Sequence, residues 1–183
     1  DTYNTSNPRH DLILTTRNEA AQVPLFLDGV RAATVEAAEI VVCDGGSTDG
    51  TVALLRELGS DLPLRVIEAP GANIALGRNT AIRAATQDIL AITDAGCVIE
   101  PDWLERITAP LLASAEVDAV GGGYTLTGDN RVQRWTRAAA LAPEMQRDED
   151  FLPSSRSFAA RRAALERAGL YPERLTFAGE DTA

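Results

Sequence analysis

Ile40-Val41-Val42-Cys43-Asp44-Gly45-Gly46-Ser47-Thr48-Asp49-Gly50-Thr51 opens with a β-branched run and passes into a carboxylate followed by two glycines. The run from Ile40 to Val42 has the composition of a short buried strand. Ser47 stands at the N-cap position of a following helix, ahead of Val52, Leu54, Leu55 and Leu58. The stretch therefore reads as strand, tight turn, helix. In open α/β sheets, ligands bind beyond the carboxyl ends of the strands, and this turn lies at such an end. Two roles are open to Asp44. It accepts hydrogen bonds from a ligand, with Gly45 and Gly46 letting the backbone approach closely, or it only organises the turn and caps the next helix.

Working outward, Leu12 to Thr16 is a first strand, followed by Arg17-Asn18-Glu19 and a helix carrying Val23, Leu25, Phe26, Leu27 and Val30. Pro24 suits that helix's first turn. On the other side, the helix over residues 48–58 ends at Gly59-Ser60-Asp61, and Leu64 to Glu68 is a third strand. After the turn Ala69-Pro70-Gly71, a helix places Ile74, Ala81, Ile82 and Ala85 on one face and Arg78 with Asn79 on another. Asp88 to Thr93 is a fourth strand, ending in Asp94-Ala95-Gly96. Pro101 opens a helix with Trp103, Leu104, Ile107 and Leu111, which Pro110 is expected to kink or divide. Val117 to Val120 is a fifth strand, residues 131–142 read as helix, Ser157 to Ala159 as strand, and Arg161 to Ala168 as a helix closed by Gly169. The alternation predicts an α/β fold, a mostly parallel sheet with helices on both faces. In such a sheet Asp44 and Asp94 lie on one edge. Carboxylates there suit Mg²⁺ or Mn²⁺, through which an acidic protein can hold an anionic diphosphate.

The bulk properties bound the function. The 183 residues suit one domain, with 1–10 as a polar leader and 11–183 as the folded unit. A hydrophobic fraction of 45% is that of a globular chain. The formal net charge of −10 argues against sequence-independent binding to DNA or RNA. Cys43 and Cys97 are the two cysteines, too few for a disulfide framework, and read as reduced thiols of a cytoplasmic protein. The single histidine, His10, falls in the leader and is expected to be solvated, which disfavours Cys–His and Ser–His mechanisms. No apolar run approaches the roughly 18 residues of a membrane span. The chain does not begin with Met and stops soon after Glu180-Asp181, so it is expected to be a piece of a longer protein, cut at its C-terminal end.

Taken together, these residues resemble glycosyltransferases of family 2, which carry the GT-A (Rossmann-like) fold. The stretch Val42 to Thr51 looks like their signature, and Thr16-Arg17-Asn18-Glu19 like the loop after their first strand. Gly77-Arg78-Asn79 resembles their small-Arg-Asn segment, and Asp94-Ala95-Gly96 stands where they carry an Asp-x-Asp metal motif. Ser157 to Arg162, then Gly169, then Gly179-Glu180-Asp181 resemble their acceptor-side segment and catalytic-base motif. The order and spacing agree from about residue 11 to residue 183.

The resemblance implies an inverting transfer of a sugar from a nucleotide diphosphate donor to an acceptor hydroxyl on a glycan, a lipid carrier or a small molecule. By position, Thr15, Arg17, Glu19, Asp44 and Gly45 line the nucleobase and ribose. Arg78 supports the nucleotide or the metal-binding carboxylate, Asp94 places Mn²⁺ or Mg²⁺ on the diphosphate, and Asp181, beside Glu180, is the general base. Two departures from the family pattern matter: Gly96 replaces the second carboxylate of the metal motif, and Gly45 replaces a common Asp. Gln133-Arg134-Trp135 resembles the Gln-x-x-Arg-Trp motif of processive synthases, but with the wrong spacing and ahead of the base motif, and it reads as amphipathic helix.

Other readings are weighed against this one. A nucleotide-sugar-binding domain without transferase activity fits Gly96 and the early stop. A sugar nucleotidyltransferase calls for a Gly-rich basic loop after the first strand, and Thr16-Arg17-Asn18-Glu19 has no glycine. A dinucleotide-binding dehydrogenase calls for G-x-G-x-x-G between strand and helix, which neither Gly45-Gly46 nor Gly121-Gly122-Gly123 provides.

Overall fold

The computed structural model describes residues 9–123 and 154–175. Within them the chain runs β1 (His10–Thr16), α1 (Val23–Arg31), β2 (Ile40–Asp44), α2 (Thr51–Leu58), β3 (Leu64–Glu68), α3 (Ile74–Ala84), β4 (Ile89–Asp94), α4 (Trp103–Ala113), β5 (Ala119–Gly121), β6 (Phe158–Arg161) and α5 (Arg162–Arg167). The six strands form one sheet in the order β3-β2-β1-β4-β6-β5. β1 pairs in parallel with β2 and β4, and β2 with β3; β6 runs antiparallel to both β4 and β5. The predicted helix over 131–142 and Gln133-Arg134-Trp135 lie outside the described residues.

Alternation along the central strands feeds two cores. Leu12, Leu14, Ile40, Val42 and Ala91 pack with Phe26 and Leu27 of α1, Leu55 of α2, and Leu104, Ile107 and Leu111 of α4. Ile13, Val41, Cys43, Leu90 and Ile92 face the other way and pack with Ala75, Ala81 and Ile82 of α3. Helices thus cover both faces, and every residue of β2 is buried, as befits an interior parallel strand.

The structure moves several expected boundaries. α2 begins at Thr51, not at residue 48, and its N-cap is Gly50 at φ 93°, not Ser47. The cause is local: side-chain hydrogen bonds from Asp44, Ser47 and Asp49 hold residues 44–50 in a loop, a competition with helix that these residue types win readily. α4 runs through Pro110 as one helix, close enough to its C-terminus that a single missing donor does not divide it. Pro24 does sit in the first turn of α1. Ile74, expected on the apolar face of α3, is 45% exposed, while Arg78 and Asn79 are buried.

His10 also departs from expectation. It is the first residue of β1, paired with Ile89, and its carbonyl accepts from Ala38 N at 2.9 Å. Its side chain is 4% exposed, and neither ring nitrogen has a hydrogen-bond partner among the described residues. Burial lowers the imidazole pKa below the usual 6.5, with only partial opposition from Asp11. The unfolded chain therefore binds this proton more tightly than the folded one. Stability rises with pH through the window below 6.5 and is lost as pH falls through it. Denaturant unfolding at about pH 7.5 and about pH 5.5, which bracket the ordinary histidine value, should show a loss of stability on acidification. His10→Leu should reduce that loss.

Candidate nucleotide-sugar site

The parallel register brings the carboxyl ends of β1, β2 and β4 together. Thr16 pairs with Asp44, and Thr15 pairs with both Cys43 and Asp94. β1 lies between β2 and β4, so the chain order reverses across it, and the crevice outside such a reversal is where open α/β sheets bind ligands. Pairing also assigns faces. Asp44 shares a face with Thr16, and Asp94 shares the opposite face with Thr15 and Cys43. The two carboxylates therefore occupy one edge without converging on a single point.

Asp44 is 2% exposed, and its own turn supplies three donors to its carboxylate. Oδ2 accepts from Gly46 N at 2.9 Å and Ser47 N at 2.8 Å, and Oδ1 accepts from the Ser47 hydroxyl. The turn-organising role is thus the one the structure displays. Gly46 takes φ 97°, a conformation open to glycine at little cost. Gly45 is buried: a Cβ on it would meet the Ala72 carbonyl oxygen at 3.0 Å, so the turn after β3 closes onto it.

The loop after β1 is clasped to this turn. Asn18 N donates to Ser47 Oγ at 2.8 Å, Thr48 N donates to Asn18 Oδ1 at 2.8 Å, Glu19 N donates to Thr51 Oγ1 at 2.9 Å, and Ala20 N donates to Asp49 Oδ2 at 3.0 Å. Asn18 adopts φ 57°, which asparagine tolerates better than most residues, and that tolerance was the available signal for its role. Arg17 stays exposed beside Gly45. Burial, then the Asp49 and Asp94 charges, push the Glu19 carboxyl upward.

On the opposite face, α3 approaches the sheet through Gly77, where a Cβ would lie 2.9 Å from the Thr15 methyl. That contact lets Arg78, 2% exposed, reach the strand ends. Its Nη2 donates to Asp94 Oδ1 at 2.9 Å, and its guanidinium lies 5.2 Å from the centroid of the Tyr171 ring. Asn79 Nδ2 donates to the Tyr171 carbonyl and to Glu173, while Tyr171 N donates to Asn79 Oδ1. Tyr171 also shares a hydrogen bond with the buried Ser155 at 2.7 Å. Arg156, Asn79 and Tyr171 were absent from the expected site. Nothing in the local pattern marks Arg156, because antiparallel pairing of β6 with β4 is what carries it to Asp94.

Arg78 and Asp94 are therefore in contact, Thr15 adjoins them, and Arg17, Glu19, Asp44 and Gly45 form the neighbouring corner. Glu180 and Asp181 lie outside the described residues. Cys43 and Cys97 are free thiols, both pushed up by burial, which does not favour thiolate chemistry. For a divalent metal, the donor set is thin. Gly96 offers no side chain, and no group of three or more His, Cys, Asp or Glu residues suited to a metal occurs among the described residues. Asp94, the carboxylate left to the motif, is already bonded to Arg78.

A match over residues 11–171 to the family model described as Glycosyl transferase family 2 agrees with this architecture, and the chain belongs to that family. Glycosyltransferase AglE of Haloferax volcanii is 25% identical over 181 residues, covering 94% of this chain and 59% of that protein. The validoxylamine A glucosyltransferase of Streptomyces hygroscopicus subsp. jinggangensis is 29% identical over 119 residues, covering 63% and 28%. Among solved structures, the mannosyltransferase PcManGT from Pyrobaculum calidifontis in complex with GDP-Man and Mn²⁺ superposes at a TM-score of 0.68 and 28% identity, covering 97% of this chain and 50% of that one. Staphylococcus aureus TarS 1-349 in complex with UDP-GlcNAc superposes at 0.73 and 20% identity, covering 94% of this chain and 51% of that one, a likeness of fold. The chain spans 59% of AglE and half of the mannosyltransferase chain. Among the described residues, no helix is long and apolar enough to cross a membrane.

Asp44→Ala removes the acceptor for Gly46 N, Ser47 N and the Ser47 hydroxyl together. Losing hydrogen bonds to a charged acceptor costs about 1.5–3 kcal/mol. Denaturant unfolding should show a loss of that size, and amide exchange should show residues 17–20 losing protection along with residues 46–49.

Proposed function

We propose that this chain is the donor-binding catalytic domain of an inverting glycosyltransferase. It moves a sugar from a nucleoside diphosphate to an acceptor hydroxyl on a glycan, a lipid carrier or a small molecule. The observation that carries the reading is the meeting of the β1, β2 and β4 ends, with Thr15 between Cys43 and Asp94 and with Arg78 held on Asp94. The clasped loops 17–20 and 44–51 supply a rigid corner beside it. Membership of the family and its likeness to a mannosyltransferase complexed with GDP-Man support a nucleotide-sugar donor.

In this reading Thr15, Arg17, Glu19, Asp44 and Gly45 surround the nucleobase and ribose. Asp44 also shapes the turn through its bonds to Gly46 and Ser47. The diphosphate lies toward Asp94 and Arg78. The acceptor hydroxyl attacks the anomeric carbon from the side opposite the diphosphate and loses its proton to Asp181, with Glu180 beside it. The bond from the anomeric carbon to the diphosphate oxygen breaks, its electron pair leaves with the phosphate, and one displacement inverts the centre. A divalent metal, when bound, would offset the charge on the leaving diphosphate.

Asp181→Asn in the full-length protein should abolish transfer of the sugar while nucleotide binding, followed by calorimetry, changes little. Normal turnover in that variant would remove Asp181 as the base.

A further inference from the structure

Asp94 stands between two guanidinium groups. Arg78, its side chain 3% exposed, bonds Oδ1 at 2.9 Å, and Arg156, half exposed, places Nε 3.9 Å from Oδ2. Asp94 is thus flanked by two guanidinium groups at the strand edge, in a chain whose net charge is −10. A cation approaching Oδ2 meets Arg156. A diphosphate approaching the same spot meets a guanidinium whose planar fork of donors suits phosphate oxygens.

The backbone around Arg156 is held in place. Its carbonyl accepts from the Thr93 hydroxyl at 2.9 Å. On one side, the buried Ser155 is hydrogen-bonded to Tyr171 at 2.7 Å. On the other, Ser157 Oγ accepts from Trp103 Nε1 at 3.0 Å, and the Ser157 carbonyl accepts from Gly122 N at 2.7 Å. The side chain thus projects from a fixed base at the strand edge where the donor site lies. Such pre-organisation reduces the ordering cost of binding an anion.

We infer that Arg156 binds the diphosphate of the sugar donor and, oriented by Asp94, supplies at the leaving group the positive charge that the Asp-x-Asp metal motif supplies in the family pattern. This rests on the nucleotide-sugar reading given above. As the anomeric carbon–oxygen bond breaks, the electron pair passes to the phosphate oxygen, and the guanidinium N–H groups donate to it. The acceptor's proton goes to the general base. Gly96 is then an accommodation to a site that uses an arginine at this point.

Calorimetric titration of the protein with guanosine diphosphate, uridine diphosphate, guanosine and uridine, each with EDTA and with Mn²⁺, tests this. One diphosphate should bind in EDTA within about threefold of its affinity in Mn²⁺. Arg156→Ala should weaken that diphosphate about tenfold or more, which is about 1.4 kcal/mol or more. The matching nucleoside should bind the variant unchanged, and Arg156→Lys should recover part of the loss. Diphosphate binding that requires Mn²⁺ and ignores Arg156→Ala would overturn the inference while leaving the nucleotide-sugar reading intact. Equal losses for nucleoside and diphosphate would assign Arg156 to folding and overturn it as well. Failure of all four ligands, and of adenosine, cytidine and thymidine diphosphates titrated beside them, would remove the nucleotide-sugar reading and this inference with it.

Discussion

A buried carboxylate has to be matched by donors, and at Asp44 three donors from Gly46 and Ser47 do it. Once Gly46 N, Ser47 N and the Ser47 hydroxyl are committed to Asp44, the Ser47 oxygen is fixed in position as an acceptor for Asn18 N. Thr48 N then meets Asn18 Oδ1, and Asp49, which accepts from Thr51, is set to receive Ala20 N. Two loops far apart in sequence become one surface. The charge makes the corner rigid. Gly45 belongs to the same constraint, because the turn after β3 closes against its bare Cα.

The other half of the site depends on a helix that buries its polar side. α3 can place Arg78 and Asn79 against the strand ends only because Gly77 lets its backbone come within contact of Thr15. Burying these groups is tolerable because each has specific partners: Arg78 has Asp94 and the Tyr171 ring, and Asn79 has the Tyr171 backbone on both its amide atoms. Asn79 and Tyr171 also tie the chain after α5 to α3, so the segment that leads toward Glu180 and Asp181 starts from a fixed point. Charge at the site is thus decided by local pairing, and a net-acidic chain brings two arginines to Asp94 at its strand edge.

Much of this was legible in the amino-acid sequence. β3 coincides with the expected Leu64 to Glu68, and β1, β2 and β4 lie within a residue or two of expectation, because β-branched and leucine runs bounded by turn formers have few other uses. From parallel strands with a shared direction it followed that Asp44 and Asp94 share an edge. Pro24 and Gly169 marked a helix start and a helix end through backbone conformations that other residues adopt less readily.

What escaped the sequence reading is whatever depends on packing at a distance. His10 looked like a solvated leader residue, yet pairing with β4 extends β1 to include it. Ile74 looked like core and is half exposed, because periodicity counts apolar side chains and cannot see that the buried face of α3 carries Arg78 and Asn79. Ser47 looked like a helix cap until the clasp with Asn18 claimed it. Arg156 meets Asp94 only because β6 pairs antiparallel with β4, and no local pattern encodes that partner. Residue order and propensity were enough for the strands and their direction. The division of the carboxylates between two faces, and the arginines that answer one of them, came from how the sheet was assembled.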